Sequence, residues 1–451
     1  MSTEQPTAPS TVGVPTGHPI GFWFFFWGEF AERCSYYGMR AILALYMSKA
    51  LGLSEADAGL AMSLFIAACY FLPIVGGFLA DNYFGKYWTI VGFSAPYVVG
   101  QFIVGIENPV ILVIALCLLA MGSGVIKPNI STLMGLTYDQ QRPGQERLRS
   151  EAFSLFYLAI NVGAAISQTA VPQLRNAFNY QIAFMLPAIL MAVALIIFAL
   201  GKPYYATEVI ERKTVTPEES ALRWAVLGRI SSLFLLVMFF WGIFDQSAST
   251  WTFFANTYMD CRLFGYDFPP DAIQAFNAYF IIICLPLMMV LWRVLDSKGI
   301  RPRPTDKMIV GFLLTALTMG VMSFAGFLAG PKEPTQREVT KMVTKEDGTK
   351  VKEVVTKEVE KVQSDGSKIM VKEPVMEDWV KDENKVTVWW MVLGYLILTI
   401  AEILISVTGL ELAYVAAPKS MTSFVTACWL LTVFLANILV HAPSTRLYPI
   451  M

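Results

Sequence analysis

Charge is scarce in this sequence. Asp, Glu, Lys and Arg together make up 15% of its 451 residues, against about 25% in soluble domains. The net charge of −1 leaves no global basic field to attract nucleic acid. Histidine is scarcer still. His18 and His441 both lie near the ends of apolar segments, and no histidine relay or metal site is legible. The six cysteines, Cys34, Cys69, Cys117, Cys261, Cys284 and Cys428, are scattered, and five lie inside apolar segments. No CxxC or CxH spacing occurs, so neither a disulfide framework nor a zinc site is indicated, and no cofactor is expected. HExxH, GxSxG and paired intramembrane aspartates are missing too, which leaves an enzyme without support. The first twenty residues lack the basic-then-apolar build of a cleaved signal peptide. They read as a cytoplasmic tail (1–20), with the first apolar span serving as its own insertion signal.

What the chain has in abundance is long apolar runs. It is 55% hydrophobic with a mean hydropathy of +0.53, the composition of a polytopic membrane protein. Spans fall at about 21–48, 56–80, 87–105, 109–135, 150–174, 180–200, 231–257, 274–295, 306–329, 387–415 and 420–440, eleven in all. Linkers after even-numbered spans carry Lys86; Arg142, Arg147 and Arg149; Lys202, Arg212, Lys213, Arg223 and Arg229; Arg293, Lys298, Arg301 and Arg303; and Lys419. The short linkers after odd-numbered spans carry only Lys49, Arg175 and Arg262, so the positive-inside rule puts the N-terminus in the cytoplasm.

A cytoplasmic linker at 201–229 divides the chain into a six-span bundle at 21–200 and a second bundle, spans 7–9 at 230–330 and spans 10–11 at 387–451. GGFLADNYFGK after span 2 and VLDSKGIRPR after span 8 echo each other weakly, as parallel repeats would. A two-times-six architecture calls for one span more than is visible; truncation and loss of the last helix are both open. Residues 331–386 differ in kind: polar, with EDGTK and QSDGSK between runs that alternate Val with charge. Asp-Gly at those places is a hairpin signal. A small extracytoplasmic β-meander is expected, with a charged disordered linker as the competing reading.

Span 1 departs from the apolar rule. Glu29, Glu32, Arg33, Tyr36, Tyr37 and Arg40 recur at i, i+3, i+4, i+7, i+8 and i+11, one face of a helix. A lone charge at the bilayer centre costs about 2.5–3.5 kcal/mol even on insertion scales, so this face must meet a wet cavity or partner charges. Glu29 and Glu32 are both within reach of Arg33. A carboxylate whose neutralisation frees Arg33 is a candidate proton carrier; a self-neutralised trio that merely lets a polar helix insert is the plain alternative. Lys127, followed by Pro128 and Asn129 in mid-span 4, needs an anion, and Glu402 in span 10 is the natural counter-ion from the other half. Their pairing would be a gate, or else a fixed strut.

Taken together, ExxERxxYYGMR (Glu29 to Arg40), GxGxxKPN (Gly122 to Asn129), FYxxINxG (Phe156 to Gly163), FDQ beside Trp241, and AEILxSxxGLExxY (Ala401 to Tyr414) resemble the proton-dependent oligopeptide transporter family of the major facilitator superfamily. The resemblance implies an all-α integral membrane fold of two six-helix bundles, here with eleven visible spans and helix 12 absent. It implies proton-coupled symport of di- and tripeptides, and of peptide-like drugs, across the cell membrane by alternating access. It assigns Glu402 to the peptide amino group and Arg33 with Lys127 to the carboxylate. Tyr36, Tyr37, Tyr70, Asn161, Trp241, Asn277 and Trp429 become cavity positions, and Arg40 with Asp245 the outer latch. Asp81, Gly85 and Lys86 read as a cytoplasmic latch between helices. The chain departs from the family pattern in places. Ser63 stands where animal members have a histidine on helix 2, Ala278 replaces a proline that often follows Asn277, and 201–229 is too short for two extra helices. With no histidine expected within the membrane, carboxylates are the titrating groups left. Transport of nitrate or another small anion or metabolite, and a non-transporting peptide receptor, are the alternatives.

Overall fold

The computed structural model describes residues 17–208, 210, 216–329, 335–338, 340–344, 350–354, 356–362, 368–374, 376–380, 385–409, 412 and 422–447. Most of the expected tail, and the end of the fifth motif at Glu411 and Tyr414, lie outside the described residues.

The helices in the first half are α1 (Ile20–Leu45), α2 (Glu55–Leu79), α3 (Gly85–Ile103), α4 (Pro109–Gln141), α5 (Glu146–Ala177) and α6 (Tyr180–Leu200). In the second half they are α7 (Pro217–Phe244), α8 (Thr250–Tyr258), α9 (Ala275–Ser297), α10 (Pro304–Ala329), α11 (Trp389–Glu402), α12 (Thr422–Ala436) and α13 (Ala442–Leu447). Side-chain caps set several of the starts. Ser54 accepts from Asp57 N at 3.0 Å, Asn108 from Val110 N and Ile111 N, and Asn179 from Ile182 N. Thr216 caps α7 in the same way, with Pro217 at its first position. For that reason α7 begins inside the linker expected at 201–229, and only the residues before Thr216 connect the halves.

Nine described stretches are long and apolar enough to cross a membrane. One of them, Glu55–Ile103, is two helices, α2 and α3, joined by a π turn at Ala80–Phe84. Splitting it, and adding α1, whose charges keep it out of a hydropathy count, gives eleven among the described residues. Span 7 is broken: α7 stops at Phe244, a 3₁₀ turn covers Asp245–Ala248, and α8 follows. Large apolar side chains such as Val110, Val113, Leu287, Val290, Ile309 and Leu313 point outward and exposed, as a lipid-facing surface requires.

The buried apolar residues fall into two main clusters. One is built from α1–α6, with Ala248 and Phe253 added; the other comes wholly from Val226 onward. Small residues let the helices close up. A Cβ on Gly122 of α4 would sit 2.2 Å from Tyr97 Cβ on α3, one on Gly124 would sit 2.7 Å from Leu72 Cβ on α2, and one on Gly76 of α2 would sit 2.7 Å from Val125 Cα. Within the first half α1 packs on α5 and α6, and α4 on α2 and α3; within the second, α11 packs on α9 and α10. Between halves α2 packs on α12 and α13, and α5 on α9.

The 331–386 region carries strands, in an arrangement other than the expected meander. β1 (Met259–Asp260), β2 (Arg262–Leu263) and β3 (Tyr266–Asp267) follow α8; β4 (Thr335–Glu338), β5 (Thr340–Thr344), β6 (Lys350–Val354), β7 (Thr356–Val362), β8 (Lys368–Pro374), β9 (Met376–Trp379) and β10 (Val386–Thr387) follow α10. β5–β6 and β7–β8 are antiparallel hairpins, and β4 with β9 closes the base, pairing Thr335 with Trp379 and Glu338 with Met376. The run VKEVVTKEVEK therefore supplies two strands that serve different hairpins. β10 pairs in parallel with β1, Met259 opposite Val386, which ties the insert's exit to the end of span 7.

Candidate functional site

α1 runs from the end near the tail to the opposite end of the bundle, called distal here. Its polar stripe is buried along its length: Glu29, Glu32, Arg33, Tyr36 and Arg40 are all under a tenth exposed. Arg33 Nε lies 3.0 Å from Glu29 Oε1 and also contacts Glu32. These contacts are ionic more than directional, because Glu29 Oε2, both Glu32 oxygens and Arg33 Nη2 are buried without a hydrogen-bond partner among the described residues. Buried polar capacity left open costs free energy until something fills it.

Lys127 faces this stripe from α4. Its ammonium sits 4.3 Å from the centroid of Tyr36 and 5.0 Å from that of Tyr70, a cation–π arrangement worth up to about 2 kcal/mol when desolvated. Arg33 lies 5.7 Å from the Tyr36 ring, so one phenol serves two cations. The motif around Lys127 has structural reasons. Gly122 and Gly124 permit the close approach of α2 and α3, and Asn129 Nδ2 donates to Val125 O at 2.7 Å and to Gly76 O of α2 at 3.3 Å.

A complementary group stands on the second half. Asn277 Nδ2 on α9 donates to Glu402 Oε2 at 2.9 Å and to Thr399 Oγ1 at 3.0 Å. Glu402 ends α11 where the helix loosens into a π turn, Ile403–Val407, an irregularity frequent at functional positions. No ion pair joins Lys127 to Glu402 in this conformation; each is held within its own half. Tyr37 packs against Ala164 and Ala165 of α5 and Ala278 of α9, within the electrostatic reach of Arg33 and Arg40 on its own helix and of Glu402 on the other half. The remaining expected positions are less telling. Asn161 donates to Tyr157 O of its own helix at 2.9 Å. Trp241 packs on Phe240 and Phe244 with its indole N–H unpartnered among the described residues. Trp429 is buried edge-on to Phe234, in a space that Gly409 leaves open.

The two halves meet at the distal end. Arg40 Nη2 donates to Asp245 Oδ1 at 2.8 Å, a contact between residues 9% and 4% exposed. Arg175 of α5 pairs with Asp271 before α9, Lys49 Nζ donates to Asn256 Oδ1 at 2.6 Å, and Gln274 Nε2 reaches Ala41 O at 3.3 Å. Every hydrogen bond or ion pair between halves among the described residues lies in this distal part. At the opposite end, Lys86 pairs with Asp81 at 3.0 Å. The same turn also seats Glu208, whose carboxylate accepts from the backbone N–H of Lys86 and Tyr87 at the start of α3, where an anion is favoured. Gly85 has φ +73°, and a Cβ there would meet Glu208 at 3.2 Å.

Sequence reasoning missed part of the distal joint. Arg175 entered only as a linker charge, Asp271 not at all, and His441 as a residue near a segment end. His441 is wholly buried, with Ser249 and Asn437 as partners, so the expectation of no histidine within the bundle is overturned. The i, i+4 spacing of Asn437 and His441 was the available signal, since it puts both on one helix face.

Two bundles around a buried charged stripe, with the ion pairs between them among the described residues all at one end, define a multi-pass membrane protein of the major facilitator type. A family model described as "POT family" matches residues 87–230, 225–355 and 366–447. The chain is 35% identical over 381 residues to "Peptide transporter family 1" of Drosophila melanogaster, covering 72% of this chain and 51% of that one. It is 32% identical over 368 residues to "Solute carrier family 15 member 1" of Homo sapiens, covering 68% and 51%. This chain belongs to the POT family. It spans about half the length of the curated relatives it matches. Among solved structures, the POT family transporter PepTSo superposes with a TM-score of 0.74 at 25% identity, covering 95% of this chain and 90% of that one. A POT family transporter in complex with 5-aminolevulinic acid gives 0.74 at 23%, covering 96% and 91%, a likeness of fold alone.

Proposed function

We propose that this protein carries di- and tripeptides into the cell together with protons, by alternating access, and performs no chemistry on them. The observation that carries the reading is the sorting of charge: Arg33 and Lys127 with their tyrosines on one half, Glu402 with Asn277 on the other. A peptide zwitterion has its carboxylate and ammonium at opposite ends, and the two halves offer one cationic and one anionic wall. Tyr36, Tyr37, Tyr70, Asn161, Trp241 and Trp429 would supply amide partners and aromatic pockets of variable content. Peptide-like ligands fit the same chemistry, and relatives named as peptide transporters support the choice of cargo. A small anion gives Glu402 no role.

With the N-terminus in the cytoplasm, the distal end faces outward, and Arg40–Asp245 and Arg175–Asp271 close the outer mouth. Glu29 and Glu32 hold Arg33 when charged; a proton on either loosens that hold and shifts which face is open, a population shift driven by differential affinity. Inward proton movement supplies about 2.3 kcal/mol per charge per 100 mV. Uptake of a labelled dipeptide into liposomes, with and without an imposed pH gradient, tests the whole reading. Accumulation only with the gradient is expected, and competition by nitrate would redirect it to an anion. Lys127→Ala should lose both uptake and peptide binding; unchanged peptide affinity would remove Lys127 from the site.

A further inference from the structure

The polar chain at the distal closure continues past Asp245. Asn437 Nδ2 donates to Asp245 Oδ2 at 2.8 Å and to the Val433 carbonyl, one turn back, at 2.9 Å. Two acceptors at Nδ2 fix the amide's orientation, so Oδ1 is the atom that faces His441 Nδ1 at 2.9 Å. An amide oxygen accepts, and Nδ1 must therefore carry hydrogen. The other ring nitrogen, Nε2, lies 2.7 Å from Ser249 Oγ; in a neutral ring it accepts, and the serine hydroxyl donates. Helix α2 joins through Ser63, whose hydroxyl donates to the Asn437 main-chain carbonyl at 2.6 Å. His441, Asn437, Ser249 and Ser63 are all fully buried. In this closed arrangement each ring nitrogen of a neutral His441 has one matched partner.

A protonated ring would not fit. Nε2 would become a donor, Ser249 would have to turn its hydroxyl away, and the hydroxyl hydrogen would then need another acceptor. The charges around the ring make the same point. Arg40 of α1 is the charged group whose field reaches His441, and Asp245, beyond Asn437, is already engaged by it. Among the other packed elements, α2 contributes Ser63 on this face, with Glu55 and Asp57 at its outer start, and α12 contributes no ionisable group here. Arg446 on α13 points outward, exposed. A cationic His441 would leave two buried cations sharing one carboxylate, an arrangement that opening to water relieves.

We propose that His441 is the proton-responsive positioning residue of the distal closure. Neutral, it holds Asn437 against Asp245 and steadies the Arg40–Asp245 pair; protonated, it releases them. The imidazole suits this work because its ordinary titration lies near neutrality. The inference rests on reading Arg40–Asp245 as the outer gate of the proposed transporter, and not on the identity of the cargo.

Spin labels on the full chain at Ile106 and Phe264, exposed residues in distal loops of the two halves, report the opening by their separation in lipid nanodiscs, without peptide or gradient. From pH 7.5 to 5.5 the ratio of open to closed should rise on the order of tenfold. His441→Gln should abolish that response, and Ser249→Ala, which keeps the ring but removes the donor to Nε2, should retain the response with a displaced midpoint. A wild-type separation insensitive to pH, or a His441→Gln response equal to wild type, overturns the proposal. Should His441→Gln fail to fold, an unshifted midpoint in Ser249→Ala does the same. Loss of peptide uptake in a wild-type protein that still opens with acid would instead strike the cargo reading alone.

Discussion

Asp245→Asn keeps the shape of the distal closure and deletes one charge. Arg40 is 9% exposed and Asp245 4%, and their contact is 2.8 Å, so the variant leaves a guanidinium buried beside a neutral amide. Breaking a buried pair by removing one partner costs about 3–5 kcal/mol. A conformer favoured 99 to 1 rests on about 2.7 kcal/mol, half of what a full 1:99 to 99:1 inversion needs. The loss is large enough to turn a closed distal mouth into a mostly open one, while Arg175–Asp271, untouched, limits how far it goes. The assay is the rate at which an impermeant maleimide reaches a cysteine placed at Thr252, buried at 2% exposed beneath the joint. In a background without the native cysteines, the rate should rise by about 10- to 100-fold. Reversing the pair, Arg40→Asp with Asp245→Arg, should recover much of the protection. A change under about twofold, or independent addition of Arg40→Gln and Asp245→Asn effects in a double-mutant cycle, would refute the reasoning.

Glu29→Gln or Glu32→Gln should abolish proton-driven uptake and leave peptide counterflow exchange; survival of both processes in both variants would move the proton site elsewhere. Gly122→Ala places a methyl group 2.2 Å from Tyr97 Cβ, and overpacking of this kind costs about 1–3 kcal/mol. Thermal denaturation in detergent should show a clear fall in midpoint, whereas Gly92→Ala, with open space around it, should show none from packing. Near the N-terminus, His18 Nδ1 lies 2.6 Å from the Tyr138 hydroxyl. Burial holds the His18 imidazole below its ordinary value, the nearby Arg142 acts in the same direction, and Glu151 opposes. Docking of residues 17–25 should therefore be firm above about pH 6.5 and loosen as pH falls through the lower folded value. Hydrogen-exchange protection in that segment, taken relative to the intrinsic exchange rate at each pH, should fall with acid, and His18→Gln should flatten the dependence.

Some expectations needed adjusting, for reasons that are local. The Thr216-Pro217-Glu218-Glu219 run is a helix start read too lightly, and it shortens the linker between the halves. In the insert, alternation gave strand character, but pairing choice among short, similar Val-and-Lys runs is weakly specified by pattern, and the observed ladders nest two hairpins above a closing pair. Span 7 breaks at Asp245, which no apolar periodicity announces. Its carboxylate is directed across the joint from a 3₁₀ turn, where a continuous α-helix would set it differently.

What the amino-acid order determined was whatever hydropathy and helical spacing encode within one span: eleven crossings, the stripe from Glu29 to Arg40, the glycines and Lys127 of span 4, Glu402 alone in an apolar helix. The tertiary structure decided the company each charge keeps. Arg40 meets Asp245 across 205 residues, Asp245 meets Asn437 across 192, and Ser63 meets Asn437 across 374. Residues so far apart share no turn, strand or period, so no local pattern joins them. Packing within the second bundle sets the imidazole and its neighbouring amide beside Asp245, and the packing of one bundle against the other brings Arg40 to complete the hydrogen-bonded chain.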